Sequence, residues 1–164
     1  MYKSAKDSGY DFDDERRFDV LRTLKFSSLL DVGSGPCLLK SWLQKQGKDC
    51  SYEAVDIRED TLELCDCPKY NRIPNKKYDV VCLFGTCGYK TEQNDKEVLF
   101  GLLKQSKSQC NKYLIFSVII NRQYKEIVSY STEELIELLA NLKVNNYRTL
   151  VDTINSECIV FCEI

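Results

Sequence analysis

The sequence contains no histidine, and this absence narrows the chemistry open to a chain of 164 residues. Ser-His-Asp and Cys-His nucleophiles, histidine-ligated zinc enzymes and histidine-ligated haem proteins all need an imidazole. Any reaction must therefore use other groups. The length suits one domain, since domains usually run to about 100–200 residues. We expect a single domain over 1–164, in which 1–25 form an N-terminal segment and helix that is a candidate lid.

The sequence also lacks apolar runs long enough to span a membrane and cysteine pairs with the spacing of a metal site. No stretch approaches the ~20 apolar residues of a membrane span, and the N-terminus lacks the apolar core of a secretory signal. The nine cysteines are odd in number and never spaced as C-x-x-C, which argues against a disulfide framework and against a structural zinc site. We expect most cysteines to be buried and to act as small hydrophobic residues. We also expect no bound metal and a reducing, intracellular location.

Charge is close to balanced, with a formal net charge of −2. This is weak evidence against a protein that grips nucleic acid unaided, because phosphate neutralisation needs clustered Lys and Arg. The distribution is uneven, however: between Lys69 and Lys90 there are five basic residues and one acid, whereas from Val128 onward there are six acids and two bases.

Apolar periodicity predicts alternating helices and strands. Helical spacing covers 13–25, 36–46, 95–107 and 132–142, the last with a capping box at Ser131/Thr132 and Glu134. Strand patterns cover 26–32, 51–57, 78–84, 113–120, 147–153 and 158–164, and the segment 61–65 fits either a short strand or a helical turn. Strands that alternate with helices and end in a hairpin predict an α/β three-layer sandwich.

The segment LLDVGSGP at 29–36 lies between a predicted strand and a predicted helix. Its glycines allow the backbone to approach a ligand at the carboxyl end of the strand, beside a helix N-terminus. Asp56 follows Gly35 by 21 residues, at the end of the next strand, where an acid accepts hydrogen bonds from both ribose hydroxyls. These features predict a nucleoside-binding crevice. A dinucleotide fingerprint would need a third glycine where Leu38 stands.

The run Asp31-Val32-Gly33-Ser34-Gly35, followed by Asp56, resembles the S-adenosylmethionine (SAM) site of class I methyltransferases. The resemblance implies a Rossmann-like three-layer sandwich with a mostly parallel seven-stranded sheet and an antiparallel C-terminal hairpin. It also implies SAM as cofactor. Gly33 and Gly35 would line its methionine part, with Asp31 close to the ammonium and Asp56 on the ribose.

The same resemblance extends to residues further along the chain. Ile57, directly after Asp56, belongs to the implied cofactor site. Asp66 would meet the adenine amino group. Phe84, with Gly85, would form the wall that faces the adenine and the methyl group.

Several short motifs resemble one narrower family, the nucleolar large-subunit rRNA adenine-N1 methyltransferases, to which a SAM-sensing regulator of nutrient signalling is related. This likeness implies rRNA or a pre-ribosome as partner and a nucleolar location. Asn121, Arg122 and Tyr124 would then act as catalytic residues that orient the base or its flanking phosphate. The motifs are VDI at 55–57, CD at 65–66, YDVV at 78–81, NRQY at 121–124 and the N-terminal Tyr2, Ala5 and Gly9.

The missing imidazole agrees with such an acceptor, because adenine N1 already holds a lone pair and needs no general base. We expect the basic stretch 69–90 to face RNA, with a partner surface supplying further affinity. Two alternatives stay open: methylation of a small molecule or protein, and a SAM sensor that transfers nothing.

Overall fold

The computed structural model describes residues 15–63, 65–86, 96–121, 128–152 and 156–164. Within these residues one mixed sheet carries helices on both faces. Its strands are β1 Ser28–Val32, β2 Ser51–Val55, β3 Lys69–Tyr70, β4 Tyr78–Leu83, β5 Cys110–Ile120, β6 Ser129–Tyr130, β7 Asn146–Asp152 and β8 Glu157–Glu163. The helices are an N-terminal 3-10 helix, Glu15–Leu21, and the α-helices α1 Leu38–Lys45, α2 Glu59–Leu62, α3 Lys96–Gln109 and α4 Thr132–Asn141.

The sheet has the order β3-β2-β1-β4-β5-β8-β7. Neighbouring strands from β3 to β5 are parallel, whereas β8 is antiparallel to both β5 and β7. This confirms the predicted sandwich and closing hairpin. The continuous path has seven strands, the expected number, and β6 is an additional two-residue strand beside β5. Parallel strands place the carboxyl ends of β1, β2, β4 and β5 at one edge of the sheet, where α/β proteins bind ligands.

Alternating side chains divide the core between the two faces of the sheet. Leu30, Val81 and Leu114 lie on one face in a cluster with residues of α3 and α4. Leu29, Val80 and Ile115 lie in a second cluster with α1 and the 3-10 helix. Burial on both faces explains why β4 and β5 are nearly continuous apolar runs.

The N-terminal helix and the third strand differ from the sequence prediction. The expected helix over 13–25 is a 3-10 helix that ends at Leu21. Phe18 and Leu21, both buried, stand three residues apart, which is the repeat that a 3-10 helix aligns on one side. Of the two interpretations of 61–65, the helical turn is nearer the structure, since α2 ends at Leu62 and β3 begins only at Lys69.

The capping box of α4 is confirmed. The Ser131 hydroxyl accepts a hydrogen bond from the Glu134 N–H at 3.2 Å, and the Glu134 carboxylate accepts one from the Ser131 N–H at 2.8 Å. Such a box satisfies two otherwise unpaired donors at the helix start. No helix among the described residues is long and apolar enough to cross a membrane.

Candidate cofactor site and neighbouring pocket

The glycine loop after β1 takes a path that needs glycine. Gly33 has a φ of 73°, and its N–H donates to the Val55 carbonyl at 2.7 Å. A Cβ at Gly33 would stand 2.5 Å from Cγ2 of Thr86. The Thr86 hydroxyl is itself held in place because it donates to the Val32 carbonyl at 2.6 Å. The loop is therefore packed between the ends of β2 and β4, with its backbone close to the ligand-binding edge.

Asp56 connects the end of β2 to this loop. Its Oδ2 accepts a hydrogen bond from the Gly35 N–H at 2.9 Å, and its Oδ1 accepts one from the Arg58 N–H at 3.0 Å. Asp56 is partly exposed, and each carboxylate oxygen has a second lone pair for a ligand hydroxyl. The structure thus brings the predicted acid and the predicted glycines together. Their role as SAM ligands stays a prediction.

Asp31 lies at the end of β1 and is 4% exposed. Tyr52 donates its hydroxyl to Asp31 Oδ2 at 2.5 Å. Burial raises the pKa of Asp31 to about 7; the hydrogen bond from Tyr52 opposes this shift, and the nearby Asp56 carboxylate adds to it. A cationic ligand group bound beside this buried carboxylate would stabilise its charged form.

The remaining predicted cofactor residues differ in their exposure. Ile57 is 85% exposed, so its apolar side chain is accessible to a planar ligand group such as a base. Asp66 is exposed, and its carbonyl accepts a hydrogen bond from the Lys40 ammonium. Phe84 is 4% exposed and packs edge-to-face on Phe18, with ring centroids 5.3 Å apart. The Phe84 ring therefore contributes to the core.

Of the three predicted catalytic residues, the structure describes Asn121. It follows β5, is exposed, has a φ of 54°, and its N–H donates to the Tyr130 carbonyl at 3.0 Å. Arg122 and Tyr124 lie outside the described residues. Asn121 thus stands at the ligand-binding edge of the sheet, and the catalytic role of all three residues stays a prediction.

A pocket beside Gly85 adds residues that the sequence analysis missed. It lies where β4, β5 and β8 meet, and Gly85 donates its N–H to the Ser117 hydroxyl at 2.9 Å. Glu157 is buried and lies 3.6 Å from the Arg17 guanidinium of the 3-10 helix. A sequence signal existed for Ser117, which interrupts the apolar run of β5. The pocket lining is Gly85, Leu99, Ser117, Val118, Ile119, Val128, Tyr130 and Glu157.

The basic stretch 69–90 is largely engaged by the protein itself. Lys69 donates to the Cys65 carbonyl at 3.3 Å, Lys77 donates to the Ser108 carbonyl at 2.7 Å, and Lys76 pairs with Glu53. Arg72 is exposed, and Lys90 lies outside the described residues. Three ammonium groups of the stretch therefore have protein partners.

The cysteine prediction is partly wrong. Cys82, Cys110, Cys158 and Cys162 are free and buried, as expected. Cys37 and Cys65, however, form a disulfide with a Cα–Cα distance of 5.7 Å. The physical reason is the parallel crossover, which returns the chain after β2 to the glycine loop and places residues 28 apart in contact. Cys67 lies beside the pair: its sulfur and theirs are all within 4.8 Å of one another.

Comparison with solved structures identifies the fold. Magnesium protoporphyrin IX methyltransferase from Synechocystis PCC 6803, solved with bound SAH, has a TM-score of 0.72 at 11% identity and covers 93% of this chain and 83% of its own. A SAM-dependent methyltransferase from Archaeoglobus fulgidus gives 0.67 at 15%, covering 99% and 96%. Ribosomal protein L11 methylase from Lactobacillus delbrueckii subsp. bulgaricus gives 0.61 at 16%, covering 85% and 70%.

No family model matches this sequence, and no curated protein sequence matches it. The chain has the class I SAM-dependent methyltransferase fold. The matched proteins include one named for a porphyrin and one named for a ribosomal protein. The fold is therefore compatible with acceptors of very different size.

Proposed function

We propose that this chain is a SAM-dependent methyltransferase. The observation that carries the proposal is the hydrogen bond between the Gly35 N–H and Asp56 Oδ2, at 2.9 Å. It joins the glycine loop after β1 to the acid after β2, so that one crevice offers both a backbone that approaches the ligand and a carboxylate acceptor for ribose hydroxyls.

Two further observations fit SAM. Asp31 is a buried carboxylate without a cationic partner among the described residues, and the ammonium of the methionine part would supply one. The Ser34 hydroxyl is buried in the glycine loop and has no hydrogen-bond partner in the described parts of the chain. Buried polar atoms are normally satisfied, so both groups favour a polar ligand at the loop.

SAM, when bound, would supply an activated methyl group on a sulfonium for in-line transfer to an acceptor, with S-adenosylhomocysteine as the leaving group. The residues of this chain would hold donor and acceptor in the reacting geometry, since positioning supplies most of the rate in such displacements. Asp31, Asp56 and the glycine loop would fix the donor. No general base is required where the acceptor atom carries a lone pair and no proton that has to leave, as adenine N1 does.

For the acceptor we propose RNA, with adenine N1 of large-subunit rRNA as the target and a nucleolar setting. The support is the likeness of the motifs at 55–57, 65–66, 78–81 and 121–124 to that enzyme family, and an acceptor nitrogen that suits a chain without histidine. Because Lys69, Lys76 and Lys77 have partners within the protein, a partner surface or the pre-ribosome would supply much of the affinity.

A small-molecule acceptor is the second candidate, and the pocket beside Gly85 favours it. The pocket lining combines mostly apolar residues with Ser117 and Glu157, and the Arg17 guanidinium lies against Glu157. A few convergent polar groups in an apolar lining are typical of small-molecule sites.

The test is incubation of the full chain with methyl-labelled SAM and, separately, with total RNA, total protein or a metabolite extract. Label in RNA that maps to adenine supports the first acceptor, and label in a metabolite supports the second. Measurable SAM binding without any labelled product would indicate a sensor. Failure to bind SAM would contradict the whole proposal.

Asp56→Ala should lower SAM affinity by about 100-fold or more, because it removes the ribose acceptor and the carboxylate that holds Gly35. Asp79→Ala is the matched control. Asp79 also holds a loop, accepting from the Ser27 N–H at 2.8 Å. It lies at the amino end of β4, away from the crevice. An equal loss of affinity in both variants would contradict the assignment of Asp56.

A further inference from the structure

Cys37, Cys65 and Cys67, here called the thiol cluster, lie against the glycine loop. Their three sulfurs are within 4.8 Å of one another. Sulfurs about 3.8 Å apart surround a tetrahedral ion whose metal–sulfur bonds are about 2.3 Å. Cys37 and Cys65 have Cα atoms 5.7 Å apart, so small rotations of their side chains would open this space once the disulfide is reduced.

Charges of both signs surround the thiol cluster. Burial, together with the carboxylates of Asp31 and Asp66, raises the pKa of the Cys67 thiol, and the ammonium groups of Lys40 and Lys69 oppose that rise. Lys69 donates to the Cys65 carbonyl at 3.3 Å. Lys40 donates to the backbone carbonyl of Asp66, the residue between Cys65 and Cys67. Two ammonium groups are thus held beside the sulfurs. Three thiolates and one divalent cation carry a net charge of −1, so the cation removes most of the negative charge that three thiolates would add beside Asp31 and Asp66.

The exposure of the thiol cluster leaves one side open. Cys37 and Cys65 are each 4% exposed, whereas Cys67 is partly exposed. Three protein ligands with an accessible fourth position are a known arrangement for Zn²⁺, the fourth ligand being water or another small group. The chain has no histidine, so soft-metal binding by this protein must depend on thiolates.

The geometry points to a three-thiolate site for a soft divalent cation such as Zn²⁺, formed by Cys37, Cys65 and Cys67 in the reduced protein. The disulfide and the metal-bound form exclude each other, because the two bonded sulfurs are no longer thiolates. A dithiol or phosphine reductant supplies two electrons, and two protons complete the free thiols of Cys37 and Cys65. Metal binding then releases the thiol protons. The thiol cluster lies beside the proposed cofactor residues Gly35 and Asp66, but metal binding by its thiolates would not require methyl transfer.

The test is titration of the full chain with Co²⁺ and then Zn²⁺, after reduction and removal of the reductant under anaerobic conditions. We expect one equivalent of Co²⁺ per chain, with a sulfur-to-cobalt charge-transfer band that Zn²⁺ abolishes. Cys67→Ser should weaken binding at least tenfold. Its matched control is Cys50→Ser, since Cys50 is also free and partly exposed but lies outside the thiol cluster.

Protein with the disulfide intact should bind neither metal at this site, and circular dichroism of each variant checks folding. Equal Co²⁺ affinity in wild type and Cys67→Ser would overturn the proposal. So would equal affinity in the reduced and oxidised proteins. SAM binding measured on the same samples keeps this result separate from that of the proposed function.

Discussion

Asp31 and Glu53 are buried carboxylates on neighbouring strands that face opposite sides of the sheet. Each is 4% exposed, and each accepts a hydrogen bond from a tyrosine hydroxyl: Tyr52 to Asp31 at 2.5 Å, and Tyr78 to Glu53 at 2.6 Å. They differ in the charge nearby. Lys76 pairs with Glu53. Among the described residues no cation pairs with Asp31, and the Asp56 carboxylate repels the charged form of Asp31.

The pKa values of the two carboxyl groups are shifted in opposite directions. For Asp31, burial raises the pKa to about 7. For Glu53, burial also raises the pKa, but the hydrogen bonds from Lys76 and Tyr78 outweigh it and hold the pKa below its usual value. A carboxylate that the protein compensates is structural, and one left uncompensated beside a ligand crevice suits binding of a cation.

The largest expected effect is that of Asp31→Asn. SAM affinity should fall by about 100-fold or more, because the partner of the SAM ammonium is lost. At pH 8 the free energy of unfolding should rise by about 1–3 kcal/mol, because a buried ionised group is replaced by a neutral one of the same shape. Calorimetric titration and urea unfolding measure the two effects. A loss of stability in this variant would contradict the comparison.

The pH dependence should follow Asp31. Its folded-state pKa of about 7 lies above 3.8, so the folded protein holds a proton that the unfolded chain releases between these values. This contribution to stability is therefore lost as pH rises from about 4 to 7. SAM affinity should have the opposite dependence: it should weaken about tenfold per pH unit below 7, because protonated Asp31 cannot pair with the SAM ammonium. Asp31→Asn, titrated over the same range, should show neither dependence.

Glu53→Gln should affect stability alone. The folded-state pKa of Glu53 lies below 4.5, so its stabilisation is present above that value and is lost as pH falls through the lowered pKa. We expect a loss of about 1–2 kcal/mol at pH 7, since Lys76 is about half exposed and solvent screens the pair. SAM affinity should stay within about twofold of wild type by calorimetry. A larger change would mean that the two carboxylates are coupled.

The smallest expected effects come from the tyrosines. Tyr52→Phe removes a hydrogen bond that lowers the pKa of Asp31. The pH midpoint of SAM binding should move upward, with affinity at pH 7 about two- to fourfold weaker. Tyr78→Phe should leave that midpoint in place and cost about 1 kcal/mol of stability. The pH profile of binding separates the two variants, and identical profiles would argue against Tyr52 acting through Asp31.

Much of the fold was predictable from local patterns. The glycine loop, the acid after β2 and the capping box at Ser131 depend on residues close in sequence, or on strands whose apolar runs mark their ends. The exceptions have physical causes as well. The spacing of Phe18 and Leu21 fits both an α-helix and a 3-10 helix, so the local pattern did not distinguish them; in the structure the helix is 3-10 and Phe18 packs against Trp42 of α1.

The sequence by itself determined the order of the elements and the positions of Asp31, Gly33, Gly35 and Asp56, because hydrophobic period and glycine content act locally. Tertiary structure alone decided three further features. These are the contact of Cys37 with Cys65 and Cys67, the lysine that compensates Glu53 but not Asp31, and the approach of Arg17 to Glu157. Each joins residues far apart in the chain, and only the order of the strands in the sheet and the packing of helices on its faces bring them together.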